Sequence, residues 1–211
     1  FLSILTILFL CLPDSLSGQG YRIEIQLQGL SGDTVILGEY FTTRMVPKDT
    51  LVVDRDGKGV FEGEEAFTGG LYLVYFSPRY YFDLLLGDDQ AFALTADTSD
   101  LAGTVNFSGS EDNRIFRDYK DFLQSKREEL QQQQALLAGA ENASDTARIR
   151  DRQDQINGDM ENYMDRIESD FASLFVSDFI GATREPLPPE DLLTGEKRHD
   201  DSIRFFYYRE H

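Results

Sequence analysis

The sequence predicts an α+β protein, in which a β-rich domain of about eight short antiparallel strands is followed by an α-helical hairpin. Between residues 21 and 110, apolar and polar residues alternate, and turn signals recur about every 8–12 residues, as in a sandwich or a barrel. After Ser110, apolar residues recur at spacings of three, four and seven, which is typical of amphipathic helices. A hydrophobic fraction of 41%, with sixteen Phe and ten Tyr, is sufficient for a packed core.

The first segment, residues 1–19, is predicted to be a signal peptide whose basic start lies before Phe1. Its apolar run ends near Leu12, so a helix over it would be about 18 Å long, shorter than the bilayer core of about 30 Å. Pro13 and small residues follow, and cleavage is expected between Ser17 and Gly20. The segment therefore predicts export to the periplasm or cell envelope, with no stable membrane span in the mature form.

The β-rich domain is predicted over residues 20–109. Ile23, Ile25 and Leu27 alternate with polar residues and indicate a half-buried strand. A second strand follows over 34–41, and the Asp-Gly turn at 54–58 is predicted to join two strands into a hairpin. Further strands are predicted over 71–76, 80–86, 91–96 and 104–107.

The helical hairpin is predicted over residues 110–185. Ser110 can cap the first helix, and Glu111 and Asp112 suit its first turn. A polar loop at 139–144 separates this helix from a second one, which carries apolar residues from Ile149 to Leu174. Residues 186–211 are expected to form a Pro-rich loop and the truncated start of a following segment.

Composition excludes several functions. The net charge of −18, from 20 basic and 38 acidic residues, is opposite to that of a nucleic-acid-binding surface. A single Cys, Cys11, cannot form an intramolecular disulfide, and one Cys with two His cannot supply a Cys/His zinc site. We find no nucleophile-elbow or phosphate-loop motif, and we predict no catalytic residue, cofactor site or metal site.

One hairpin is unusually aromatic. Residues 72–82 contain four tyrosines, namely Tyr72, Tyr75, Tyr80 and Tyr81. Aromatic side chains on strands can stack on sugars or form a protein interface, although alternation places about half of them in the core. We predict that these four tyrosines form a binding surface, and core packing is the alternative for each.

Five sequence segments carry a resemblance to a known family. They are residues 49–54 (Asp-Thr-Leu-Val-Val-Asp), 57–63 (Gly-Lys-Gly-Val-Phe-Glu-Gly), 71–76 (Leu-Tyr-Leu-Val-Tyr-Phe), 105–113 (Val-Asn-Phe-Ser-Gly-Ser-Glu-Asp-Asn) and 179–188 (Phe-Ile-Gly-Ala-Thr-Arg-Glu-Pro-Leu-Pro). The first four resemble a domain of unknown function that stands at the N-terminus of secreted thioredoxin-like and peroxiredoxin-like proteins of Gram-negative bacteria. The last, with residues 205–211, resembles the linker module that follows this domain.

The resemblance implies a non-catalytic accessory region of a secreted thiol–disulfide oxidoreductase-like protein. Redox chemistry in that family belongs to a C-terminal thioredoxin-like domain with a Cys-x-x-Cys pair, and this sequence has no such pair. That domain, and envelope proteins, are the expected partners. The alternative is a self-contained envelope module that binds glycan or peptide through the 72–82 hairpin. A third interpretation is an assembly protein that uses the helical hairpin as a coiled-coil arm.

Overall fold

The computed structural model describes residues 20–41, 44–77, 80–184 and 188–210. The predicted signal peptide, including Cys11, lies outside the described residues. Within them there are eight strands: β1 (Tyr21–Gln28), β2 (Thr34–Phe41), β3 (Arg44–Val52), β4 (Lys58–Gly63), β5 (Gly70–Ser77), β6 (Tyr80–Leu86), β7 (Ala91–Asp97) and β8 (Asn106–Ser108). The helices there are α1 (Leu101–Thr104), α2 (Glu111–Ala138), α3 (Ala143–Asp170), α4 (Phe175–Thr183) and α5 (Lys197–Glu210), with a short 3-10 helix at Glu190–Leu192.

The strands form two four-stranded sheets that share one core. One sheet has the order β4-β1-β7-β8 and the other β3-β2-β5-β6. Alternate side chains of both sheets meet in a single buried cluster that includes Ile23, Leu37, Phe61, Leu84 and Leu94. The fold is therefore a β-sandwich, which is one of the two predicted architectures, and the helices that follow confirm the α+β class.

Two pairings differ from the predicted antiparallel hairpins. Strand β1 pairs with β7 in parallel, from Arg22 opposite Ala91 to Gln28 opposite Asp97. Strands β3 and β4, predicted as a hairpin, lie in different sheets, so residues 53–57 carry the chain across the sandwich. Gly57 permits this crossing because its φ is +73° and a Cβ there would lie only 2.1 Å from the carbonyl oxygen of Leu27.

The two long helices form the predicted antiparallel hairpin, which we call the arm. Ser110 and Asn142 cap α2 and α3 respectively, each accepting a hydrogen bond from the backbone N–H three residues later. Ile149 and Ile156 are buried between the helices. Lys126 Nζ of α2 lies 2.7 Å from Asp159 Oδ2 of α3, and most of the remaining residues of the arm are polar or charged.

The second predicted helix is shorter than expected. α3 ends at Asp170, and a separate helix, α4, begins at Phe175 and turns back against α2 and α3. Residues 197–210, expected to lie in a loop and the start of another segment, form helix α5. In the part of the chain that the structure describes, no helix is both long and apolar enough to cross a bilayer.

Candidate functional site

The four tyrosines of the predicted surface lie in different environments. Tyr72 is only 1% exposed and belongs to the sandwich core, where its hydroxyl donates to the carbonyl oxygen of Thr68 at 2.9 Å. Burial, followed by the charge of Glu39, raises the pKa of this tyrosine to about 12. The prediction that Tyr72 forms part of a surface is therefore wrong, because its alternation with Leu71 points it inward.

The other three tyrosines reach the surface of β5 and β6. Tyr75 and Tyr81 are direct cross-strand partners, and the core positions of Phe82 and Leu84 place Tyr81 on the outer face of the sheet. Tyr81 is 54% exposed, whereas Tyr75 is half-buried. Tyr80 stacks on Phe76, with ring centroids 6.0 Å apart and an interplanar angle of 8°.

Tyr80 and Tyr81 line a groove of about 1100 Å³, which we call the β6 groove. Strand β6 forms one side of the groove, and the segment 98–107, which includes α1, together with α2 and Thr183 of α4, supplies the rest. Its aliphatic and phenylalanine lining comes from Phe82, Leu101, Ala102, Val105, Phe107, Phe116 and Leu123. Tyr75 is not among the lining residues, so the groove combines two of the predicted tyrosines with a helical wall.

Three cations of α2 also line the β6 groove. Lys120 Nζ lies 4.7 Å from the centroid of the Phe116 ring and 3.7 Å from Asp83 Oδ2. Burial lowers the pKa of Lys120, and the neighbouring Asp83 carboxylate opposes this shift. Arg117 is held by Asn106 of β8, while Arg127 forms no ion pair with a described residue. The groove is thus apolar at its base and mixed in charge at its rim.

Sequence reasoning did not predict the helical wall of the groove. The spacing of Phe116, Tyr119 and Leu123 indicated an amphipathic helix, but not which strand this helix contacts. The residue that could have indicated the contact is Asn113, a polar residue in the first turn of the helix that is 0% exposed.

Asn113 fixes the base of the arm to the sandwich. Its side-chain Oδ1 accepts from the backbone N–H of Leu85 at 2.7 Å, and its Nδ2 donates to the Leu85 carbonyl at 2.8 Å. Nδ2 also donates to Ser110 Oγ at 2.9 Å. Asn113 therefore supplies the two hydrogen bonds that a neighbouring strand would make at Leu85.

Asp112 joins the same turn to α4. Its Oδ1 accepts from the backbone N–H of Val176 at 2.7 Å, which caps α4 because Leu174 has no capping side chain. Burial raises the pKa of Asp112, the bond from Val176 opposes the shift, and the charges of Asp88 and Asp89 add to it. We call Ser110, Asp112 and Asn113, with their partners, the junction.

The far end of α4 is tied to α3. Arg184, just after α4, donates to Glu161, Asp165 and Glu168 of α3 at 2.7 Å each. These carboxylates raise the pKa of the Arg184 guanidinium above its usual range. The base of the arm is therefore held at both ends of α4.

This arrangement is suited to binding and positioning. Among the described residues, no group of three or more His, Cys, Asp or Glu side chains is placed to share a metal ion. The lining of the β6 groove contains hydroxyl groups at Tyr80, Tyr81, Thr98, Ser99, Tyr119 and Thr183, but no His that could act as their base. Exposed aromatic rings, an apolar base and a fixed helical arm are features of an interaction surface.

The fold and these features define a class, namely a β-sandwich domain joined to a helical arm through buried hydrogen bonds. Residues 21–116 match the family model described as Domain of unknown function (DUF4369). The match includes the junction residues Ser110, Asp112 and Asn113, but not the rest of the arm, and it indicates no catalytic family. A search of curated proteins finds no match to the chain.

Proposed function

We propose that this chain is the non-catalytic accessory region of a secreted thiol–disulfide oxidoreductase-like protein, in which it positions a thioredoxin-like domain. The family resemblance supplies the redox context. The observation that carries the positioning role is the junction, where Asn113 and Asp112 connect the sandwich to two helices through buried hydrogen bonds. A flexible linker would need no such connection.

The arm has the dimensions of a spacer. Each of its helices contains 28 residues, which corresponds to about 42 Å at the usual helical rise. Buried Ile149 and Ile156 hold the helices together, and Arg152 bonds across to Glu129. A helical pair of this length sets both the distance and the direction from the sandwich to a partner that contacts the far end of the arm.

The reading frame that contains these residues provides the first test. We expect it to encode a basic segment before the apolar run of residues 1–12, as a signal peptide requires. Beyond residue 211 we expect a Cys-x-x-Cys pair within roughly 150 residues, which is about one domain length. Sequencing the genomic DNA decides the matter, since a frame without the cysteine pair would contradict the redox proposal.

A second candidate function is a self-contained envelope module that binds glycan or peptide, and the position of Tyr80 and Tyr81 in the β6 groove favours it. In this case Tyr81→Ala should weaken binding about tenfold, because an exposed ring of this kind contributes on the order of 1–2 kcal/mol. Tyr75→Ala should have a smaller effect, since Tyr75 is outside the groove. Titration with cell-wall glycan fragments and with displayed peptides measures both.

The matched control is Tyr40→Ala. Tyr40 is 47% exposed on β2 and does not line the β6 groove, so its removal should leave binding unchanged. Far-ultraviolet circular dichroism establishes that all variants are folded. Binding that survives the Tyr81 replacement in a folded protein would exclude the aromatic module.

A further inference from the structure

The β6 groove follows the edge of a strand. Four consecutive residues of β6, Tyr80 to Asp83, line it. Successive side chains of a strand point to opposite faces, so a cavity above one face would touch only every second residue. A cavity that touches four in a row must therefore lie beside the backbone, on the side away from β5.

β6 is the terminal strand of its sheet and pairs only with β5 among the described strands. Leu85 directs its N–H and C=O away from β5, because both bond to Asn113. Residues along a strand direct their backbone N–H and C=O alternately to its two sides. Asp83 and Tyr81, two and four residues before Leu85, therefore also direct their N–H and C=O away from β5. The bulge in the β5–β6 pairing lies beyond Tyr81 and leaves this alternation intact.

The edge is thus closed at one end and open along the groove. Asn113 occupies the position of a neighbouring strand at Leu85, whereas no described residue bonds to the outward backbone groups of Asp83 or Tyr81. Two outward residues offer two N–H donors and two C=O acceptors. This is the pattern that an added strand satisfies.

We propose that the open edge of β6, at Tyr81 and Asp83, binds an extended peptide segment of a partner protein as an additional strand of the sheet. Side chains on one face of the segment would contact the apolar base formed by residues such as Phe116 and Leu123. This inference rests on the second candidate function and specifies it, since backbone pairing selects a peptide and not a glycan.

Charge favours a peptide of low net charge over a second copy of this chain. The lining of the groove is balanced, with three cations, Arg117, Lys120 and Arg127, and three anions, Asp83, Asp121 and Glu128. The whole chain has 20 basic and 38 acidic residues, so two copies would repel one another. A peptide of low net charge fits the balanced lining of the groove and does not experience the repulsion that a second acidic copy of the chain would.

The test begins with random twelve-residue peptides displayed on phage, selected against the protein and then synthesised. Asp83→Pro removes one outward N–H that the fold does not use, so it should weaken binding of a selected peptide about tenfold. Asp83→Asn, which also loses the charge that faces Lys120 but keeps the N–H, is the matched control and should bind as the parent does.

A second measurement leaves the protein unchanged. N-methylation of the peptide at alternate positions should abolish binding in one register and leave it unaltered in the other, because only every second amide faces β6. Selected peptides that tolerate both Asp83→Pro and every N-methylation would overturn strand addition. If only Tyr81→Ala weakens binding of these peptides, the result would support the aromatic binding module and contradict strand addition.

Two other outcomes also decide against the proposal. Selection that yields no peptide with a dissociation constant below about 100 μM would overturn it, because four backbone hydrogen bonds and an apolar base should exceed that affinity. Dimerisation in sedimentation that Asp83→Pro abolishes would instead assign the edge to a second copy of the chain.

Discussion

Replacing Asn113 with alanine should lower the free energy of unfolding by about 2–4 kcal/mol. The substitution leaves the N–H and C=O of Leu85 without their partner in a buried site, where each unpaired group costs about 1–3 kcal/mol. It also removes the bond to Ser110 Oγ. Urea titration followed by circular dichroism measures the change, and Asn157→Ala is the matched control.

Asn157 is exposed on α3, so its replacement should alter stability by no more than about 0.5 kcal/mol. Asn113→Asp separates shape from hydrogen bonding, because a carboxylate keeps the volume but cannot donate to the Leu85 carbonyl. We expect it to be destabilising at neutral pH and less so in acid. If Asn113→Ala unfolds at the same urea concentration as the control, the junction does not hold the arm.

Much of the architecture follows from local patterns. The alternation of Ile23, Ile25 and Leu27 places a strand with one buried face, and the hairpin predicted over residues 72–82 corresponds to the paired strands β5 and β6. Ser110 as a helix cap is also confirmed. Each of these signals is contained within about ten residues, so no knowledge of distant contacts is needed.

Sheet membership could not be predicted in the same way. The Asp-Gly turn at 54–58 has a local hydrogen-bond network, with Asp54 Oδ1 accepting from Asp56 and Lys58, that is the same whether its strands pair or separate. What separates them is the pairing of β1 with both β4 and β7, whose paired residues are 32–42 and 69 positions away in the chain. Tertiary competition, not turn chemistry, decides this connection.

In the candidate site, too, some features follow from the local sequence and others depend on distant contacts. Alternation alone identifies the hairpin tyrosines but assigns half of them to each face, and only the confirmed core position of Phe82 and Leu84 shows that Tyr81 points outward. The helical wall could not be predicted because asparagine is a polar residue that is usually exposed, so nothing in the sequence indicated that Asn113 is buried. Its burial makes sense only when the edge of β6 lies beside it.

Asp112 provides the second large effect. Asp112→Ala should cost about 1–3 kcal/mol, because Val176 is fully buried and its N–H would lose the acceptor that caps α4. Asp112→Asn keeps an acceptor oxygen and should recover much of this stability. Comparing the two in urea separates the hydrogen bond from the charge.

The charge adds a dependence on pH whose sign follows from the raised pKa of Asp112. Above the ordinary value of 3.8, the unfolded chain releases this proton while the folded protein still retains it. Stability from this group is therefore complete at low pH and is lost as the pH rises through the folded-state pKa. Since Asp112→Asn has no proton to lose, its stability relative to the parent should increase as the pH rises from about 4 to 7.

Asp154→Asn is the matched control for this titration, because Asp154 is exposed on α3 and far from the junction. Its stability relative to the parent should stay constant over the same range. A difference between Asp112→Asn and the parent that remains flat would mean that the hydrogen bond from Val176 balances the effect of burial on the pKa of Asp112. A difference that shrinks with rising pH would mean that this bond outweighs burial and lowers the pKa. Either result would contradict the raised pKa, and the loss of stability in Asp112→Ala would then measure the bond that caps α4 with the carboxylate charged.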